Sequence, residues 1–117
     1  MARQPLLSLP LRANLKNHGM RKVLVLGAGR SSSSLITMVL ERAERNHWEV
    51  HVGDVDEARA RAKCQGNPAA RPFRIDPTDN TERDAQIASS DLVISMVPAF
   101  MHPEIAEVAI EAGAHVI

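Results

Sequence analysis

The 117-residue chain has no tyrosine, one tryptophan and two phenylalanines, so aromatic residues make up only 3% of it. Trp48, Phe73 and Phe100 are too few and too scattered to build the stacking platforms that hold single-stranded nucleic acids. The single cysteine, Cys64, cannot close an internal disulfide. A fold that needs no bridge suits a reducing compartment, and a cytoplasmic location is expected. Cys64 reads as an ordinary thiol, because His18, His47, His51 and His115 stand at no ligand-like spacing from it, and no metal site is expected. Nor is there an apolar run long enough for a bilayer: the longest, around 23–29 and 92–97, fall far short of the roughly 20 residues required. Net charge is also absent, with 14 basic residues against 14 acidic ones. That balance hides an asymmetry, since Arg3, Arg12, Lys16, Arg21 and Lys22 share the first 22 residues with no acid, leaving nine bases and fourteen acids behind them. Nucleic-acid affinity needs a basic face that displaces counterions, which an acidic globule does not offer.

Residues 1–19 hold two prolines and scattered leucines with no sustained period, and are expected to form a flexible basic leader. A transit peptide would share its acid-poor composition, but Pro5 and Pro10 interrupt any apolar helical face. From residue 20 to 117 the chain alternates short apolar runs with helical periods. Val23 to Leu26 is an unbroken aliphatic run, the pattern of a parallel strand covered on both faces. Leu35, Ile36, Val39, Leu40 and Ala43 follow at helical spacing. Further strands are expected over 49–53, 72–75, 92–96 and from 114 onward. Between them, helices are expected to be capped by Asp56, by a capping box of Asp79 with Glu82, and by Pro103 in the first turn, the last closing at Gly113. Strands alternating with helices across connections too long for hairpins call for right-handed crossovers. The expected fold is therefore α/β: a doubly wound parallel sheet of about five strands with helices on both faces, incomplete at its carboxyl end.

The stretch that carries chemistry runs from Val23 to Ile36. Gly27 lets the chain turn sharply out of the strand, and Gly29 lets the backbone approach a pyrophosphate. The next helix then starts with free N–H groups and the positive end of its dipole toward that anion. Ser32 replaces the usual third glycine; it is small enough for close helix-to-strand packing and offers a hydroxyl. Ser31 and Ser33 can add phosphate hydrogen bonds and Arg30 a charge. The alternative, a glycine-rich turn with a serine-rich cap and no ligand, makes poor use of four serines in a helix start. Asp54, at the end of the second strand, can accept from an adenosine ribose 2′-hydroxyl and repel a 2′-phosphate. It favours NAD over NADP, while Arg59 one helical turn on keeps NADP open. Asp76 can accept from the adenine amino group or serve as a turn residue before Pro77. Val97 and Pro98, closing the fourth strand, are placed to flank a ribose at the carboxyl edge of the sheet, where ligands of open α/β sheets bind. His102 can touch substrate or cap the following helix, and capping is the simpler reading. No acid, base or nucleophile presents itself as catalytic.

Three segments together closely resemble the amino-terminal domain of glutamate-forming saccharopine dehydrogenases, also called saccharopine reductases. They are Lys22-Val-Leu-Val-Leu-Gly-Ala-Gly-Arg-Ser-Ser-Ser-Ser-Leu-Ile36, Val50-His-Val-Gly-Asp54, and Asp91-Leu-Val-Ile-Ser-Met-Val-Pro98 with His102-Pro103. The resemblance runs from about Met20 to the last residue, and its Ile-Ser-Met-Val-Pro segment with the following His-Pro is more specific than the glycine turn. It implies a nicotinamide cofactor exchanging hydride at the carbon–nitrogen bond of saccharopine, a step of lysine metabolism. It further implies a second domain that binds this small amino-acid substrate and supplies homodimer contacts in a full-length member. Members using NADP often carry Arg just after the second strand, where this chain has Val55, a departure that supports NAD. The family's Ser-Tyr segment beyond the fifth strand is missing. The resemblance thus implies a cofactor-binding portion that is inactive alone. A related imine reductase of the carboxynorspermidine type, or a non-catalytic dinucleotide sensor, would share the same domain.

Overall fold

The computed structural model describes residues 20–117; the expected leader at 1–19 lies outside the described residues. Five strands form one sheet: β1 (Arg21–Leu26), β2 (Trp48–Asp54), β3 (Ala70–Arg74), β4 (Leu92–Ser95) and β5 (His115–Val116). The helices between them are α1 (Ser33–Asn46), α2 (Glu57–Cys64), α3 (Asn80–Ala88) and α4 (His102–Ala112). Short 3-10 turns at Arg30–Ser32 and Ala99–Met101 lead into α1 and α4. The strand order is β3-β2-β1-β4-β5 and every neighbouring pair is parallel.

β1 is central, and its aliphatic run explains both layers. Val23 and Val25 point to one side, into a cluster with Val50 and Val52 of β2, Ile36, Val39, Leu40 and Ala43 of α1, and Ala60 and Cys64 of α2. Leu24 and Leu26 point to the other, against Ile75, Ile87, Val93, Val97, Ile105 and Ala109. With both faces covered, an apolar residue is wanted at every position, which is why the strand does not alternate. The α1 stripe recurs at i, i+3, i+4 and i+7 and its last turn ends at His47 in the left-handed region. Asp56 caps α2 by accepting from the Arg59 N–H, and Gly113 closes α4 at φ +80°.

Three local expectations change. β3 spans Ala70–Arg74 rather than 72–75: it pairs with β2 from Ala70 onward, and Pro72 is accommodated because β3 is an edge strand. Asp79 does cap α3, accepting from the Thr81 and Glu82 N–H groups, but its own N–H donates to the Asp76 carbonyl, so the box is not reciprocal. His102 does not cap α4. It is the first residue of the helix, and its Nδ1 lies 2.7 Å from Ser95 Oγ, tying the end of β4 to the start of α4.

One buried charge went unanticipated. Arg83 of α3 is 2% exposed and donates to the Pro77 carbonyl, Asp84 and Glu104, so it links the β3–α3 loop to α4. Among the described residues no helix is long and apolar enough to cross a membrane.

Candidate functional site

The strand order reverses between β1 and β4, and there the carboxyl ends of neighbouring strands splay apart into a crevice. A cleft of about 230 Å³ lies along this edge, formed by the loops after four strands. Gly27 and Gly29 contribute from β1, Asp54, Val55 and Arg59 from β2 and α2, Ile75 and Pro77 from β3, and Met96, Val97 and Pro98 from β4. The structure thus gathers Gly27, Gly29, Asp54, Val97 and Pro98 around one cleft.

The two glycines serve different ends. Gly27 has φ +102°, and a Cβ there would lie 2.9 Å from the Met96 carbonyl oxygen, so the fold itself demands glycine. Its N–H donates to the Gly53 carbonyl at 2.7 Å, holding the turn between β2 and β4. Gly29 has φ −74°, which any residue adopts, and a Cβ there would meet nothing within 4 Å. The protein's own packing gives no reason for glycine at 29; a ligand approaching the backbone does.

Ser32 is fully buried, as close packing of α1 on β1 requires. Its hydroxyl, however, donates to the Gly29 carbonyl at 2.6 Å and so fixes the turn instead of reaching outward. Ser33 opens α1, exposed, and accepts a hydrogen bond from Lys63 Nζ. Arg30 and Ser31 are exposed on the 3-10 turn beside the cleft.

Asp54 is 6% exposed and fully occupied. Its Oδ1 accepts from the Ala28 N–H at 2.9 Å, so the end of β2 clamps the middle of the glycine turn. Its Oδ2 accepts from the Asp56 N–H at 2.9 Å and from Arg59 Nε and Nη2 at 3.0 and 2.7 Å. Burial by itself would raise the carboxyl pKa, but these donors outweigh it and hold Asp54 below the usual carboxylate range. A depressed native pKa stabilises the fold in full above the unfolded value of about 4, and the stability is lost as pH falls through the native value. An Asp54→Asn variant is therefore expected to have a lower urea midpoint than the parent at pH 7, with the gap narrowing as the pH falls below the unfolded value of about 4. A gap independent of pH would mean that the charge on Asp54 contributes nothing.

Asp76 lies just outside the cleft wall. Its carboxylate accepts from the Thr78 N–H at 2.9 Å and the Thr78 hydroxyl at 2.6 Å, the geometry of an Asx turn, which lowers its pKa. Cys64, the last residue of α2, is buried, and desolvation pushes its thiol up and away from nucleophilic use. The sequence reading did not single out Gly53, where a Cβ would lie 2.7 Å from Phe73 and Ile75 side-chain atoms, nor the wall residues Ile75, Pro77 and Met96. Their signal is weak, since Gly53 sits within β2 and the three wall residues are only one to three residues past a strand.

Residues 23–117 match the family described as the saccharopine dehydrogenase NADP binding domain. The chain belongs to this family. Its relative saccharopine dehydrogenase [NADP(+), L-glutamate-forming] of Saccharomyces cerevisiae is 30% identical over 97 residues, which are 83% of this chain and 21% of that protein. The solved apo structure of the yeast saccharopine dehydrogenase superposes with a TM-score of 0.70 at 28% identity, covering 82% of this chain and 21% of that one. A short-chain dehydrogenase/reductase of Veillonella parvula in complex with NADP has a TM-score of 0.62 at 11% identity, over 82% of this chain and 45% of its own. Scyllo-inositol dehydrogenase of Lactobacillus casei with bound NAD(H) has a TM-score of 0.62 at 21% identity, over 83% and 27%. These last two share the Rossmann fold alone. This saccharopine dehydrogenase-type domain therefore spans about a fifth of the length of its yeast relative. It is an NAD(P)-binding Rossmann domain of dehydrogenase-like type.

Proposed function

We propose that the domain holds NAD(P)H for hydride exchange at the carbon–nitrogen bond of saccharopine. The observation that carries the cofactor site is Gly29: a glycine with ordinary dihedrals and open space at its missing side chain, at the mouth of the crevice and the start of α1. When bound, the nicotinamide supplies the hydride chemistry, and the protein supplies orientation. With the Gly27 and Ala28 N–H groups already bonded to Gly53 and Asp54, the backbone N–H groups from Gly29 into the following 3-10 turn meet the pyrophosphate, with the Arg30 and Ser31 side chains at its rim. Val97 and Pro98 bound the cofactor on the β4 side.

The carbon–nitrogen bond as the site of reaction rests on the family relationship and on the yeast relative's named activity. Within this reading the substrate is a small amino acid held by a further domain, the full-length protein is a cytoplasmic homodimer of lysine metabolism, and the described residues alone turn nothing over. The expected preference for NAD does not carry into the proposal. It required an Asp54 carboxylate open to a ribose hydroxyl, and that carboxylate is occupied by Ala28, Asp56 and Arg59.

The 117-residue protein is expected to gain about 10 °C or more in Tm with millimolar NADPH or NADH. Saturation a hundredfold above Kd adds about 2.7 kcal/mol to a domain in which each kcal/mol shifts Tm by about 4–8 °C. An unmoved Tm with both cofactors would end the proposal.

A further inference from the structure

The sheet has a second opening, at the end opposite the crevice. Met20 just before β1, Trp48 at the start of β2 and the loop 67–69 leading into β3 lie together at the amino edge. Between them and α1 runs a groove of about 530 Å³. Its floor is apolar: Leu40 and Ala43 belong to the core, and Trp48 and Ala69 are partly buried residues packed against that same core, with Pro68 beside them. Its rim is acidic. Glu41 and Glu44 are exposed on α1, and neither has an ion-pair partner among the described residues. A third glutamate, Glu49, is shared between His51 and Arg71 at 2.7 and 3.5 Å. His47 also lines the groove, and Arg71 is its one Lys or Arg among the described residues, so three carboxylates face a single guanidinium.

An apolar floor beneath uncompensated carboxylates suits a segment that carries aliphatic side chains and cations but no acid. Such a segment adjoins the groove in the chain itself. Residues 1–19 contain Leu6, Leu7, Leu9, Leu11 and Leu15 with Arg3, Arg12 and Lys16, and no acidic residue. Leu11 and Leu15 are each followed directly by a cation. Met20, to which the segment is joined, is part of the groove lining. A tether this short holds its segment at an effective concentration of about a millimolar, so contacts too weak to capture a free peptide suffice.

We infer that this groove receives residues 11–16 of the chain's own basic leader, with Leu11 and Leu15 on the apolar floor and Arg12 and Lys16 at the Glu41 and Glu44 rim. The opposed charges of the leader and the domain are then an intramolecular match. The groove lies at the far end of the sheet from the crevice, so this inference stands or falls apart from the cofactor reading.

Trp48 is the one tryptophan of the chain, so its fluorescence reports on the groove alone. In the 117-residue protein without cofactor, the parent is expected to shield Trp48 from acrylamide. Glu41→Lys combined with Glu44→Lys should expose it and speed tryptic cleavage after Arg12 and Lys16 about tenfold, the scale of two exposed ion pairs turned into repulsions. Lysine is a good helix former, and Glu44 falls in the last turn of α1, where cations are favoured. The reciprocal pair, Arg12→Glu with Lys16→Glu, should expose Trp48 as well. It alters no residue of the sheet or its helices, so it reads the groove whatever the first pair does to α1. Joining the two reversals in one chain should restore the shielding, which damage to local structure would not. Trp48 quenched equally in the parent and in both reversals would overturn the docking. Shielding that fades on dilution, with a dimer in sedimentation, would overturn it too, by giving the groove to the leader of a second copy.

Discussion

Gly29→Val is expected to fold as the parent does and to lose its cofactor. At φ −74° and ψ −170° the backbone is extended, a region β-branched residues favour, and the new Cβ meets no atom within 4 Å. Unfolding stability should therefore change by less than about 0.5 kcal/mol, as at an unconstrained surface site. The same isopropyl group would stand where the pyrophosphate must approach the turn. Keeping a phosphate from two backbone N–H donors forfeits hydrogen bonds to a charged group of about 1.5–3 kcal/mol each, or at least about a hundredfold in Kd. An equal urea midpoint with no cofactor-induced rise in Tm is the expected pair of results. An undiminished rise would place the ligand away from the turn.

Gly27→Ala should do the reverse and damage the fold. Two penalties combine: φ +102° is poorly tolerated by any residue with a Cβ, and that Cβ would be driven to 2.9 Å from the Met96 carbonyl oxygen. Neither can relax cheaply, because the Gly27 N–H is tied to Gly53 and the Met96 N–H to Leu26, which places the residue between two hydrogen-bonded strands. A loss of about 2–4 kcal/mol is expected, a large part of the stability of a domain this size. Urea denaturation of the two glycine variants side by side reads the contrast directly, and equal midpoints would refute it.

These two glycines also mark how far the sequence could be read. The turn between an aliphatic run and a helical stripe was legible because each signal is local: β1, Gly27, Gly29 and α1 all fall within 26 residues of one another. Which glycine answers to the fold and which to a ligand was not legible, since Met96, the atom group that decides it, arrives from a distant strand. Asp54 is similar. Its place at the end of β2 was readable, but its commitment to Ala28, 26 residues away, belongs to the packed turn and cancels the ribose role its position suggests. The burial of Arg83 was not legible either, because an arginine in a charged helix is ordinarily a surface residue, and its contact with Glu104 comes only with the docking of α4. The Ser95–His102 pair spans a turn whose geometry no periodicity describes.

The position of β1 at the centre of the sheet has a consequence for the order in which the molecule can be made. One edge of β1 is completed by β2, which follows closely, but the other waits for β4; the bond from the Lys22 N–H to Asp91 joins residues 69 apart. Until the ribosome has released β4 and α4, Leu24 and Leu26 have no partners in Val93, Ile105 or Ala109, and the crevice has only one wall. Cofactor thus cannot assist the early stages of folding of the nascent chain: its site comes into being only when the last long-range strand pairing closes, the slow kind of step in a parallel sheet.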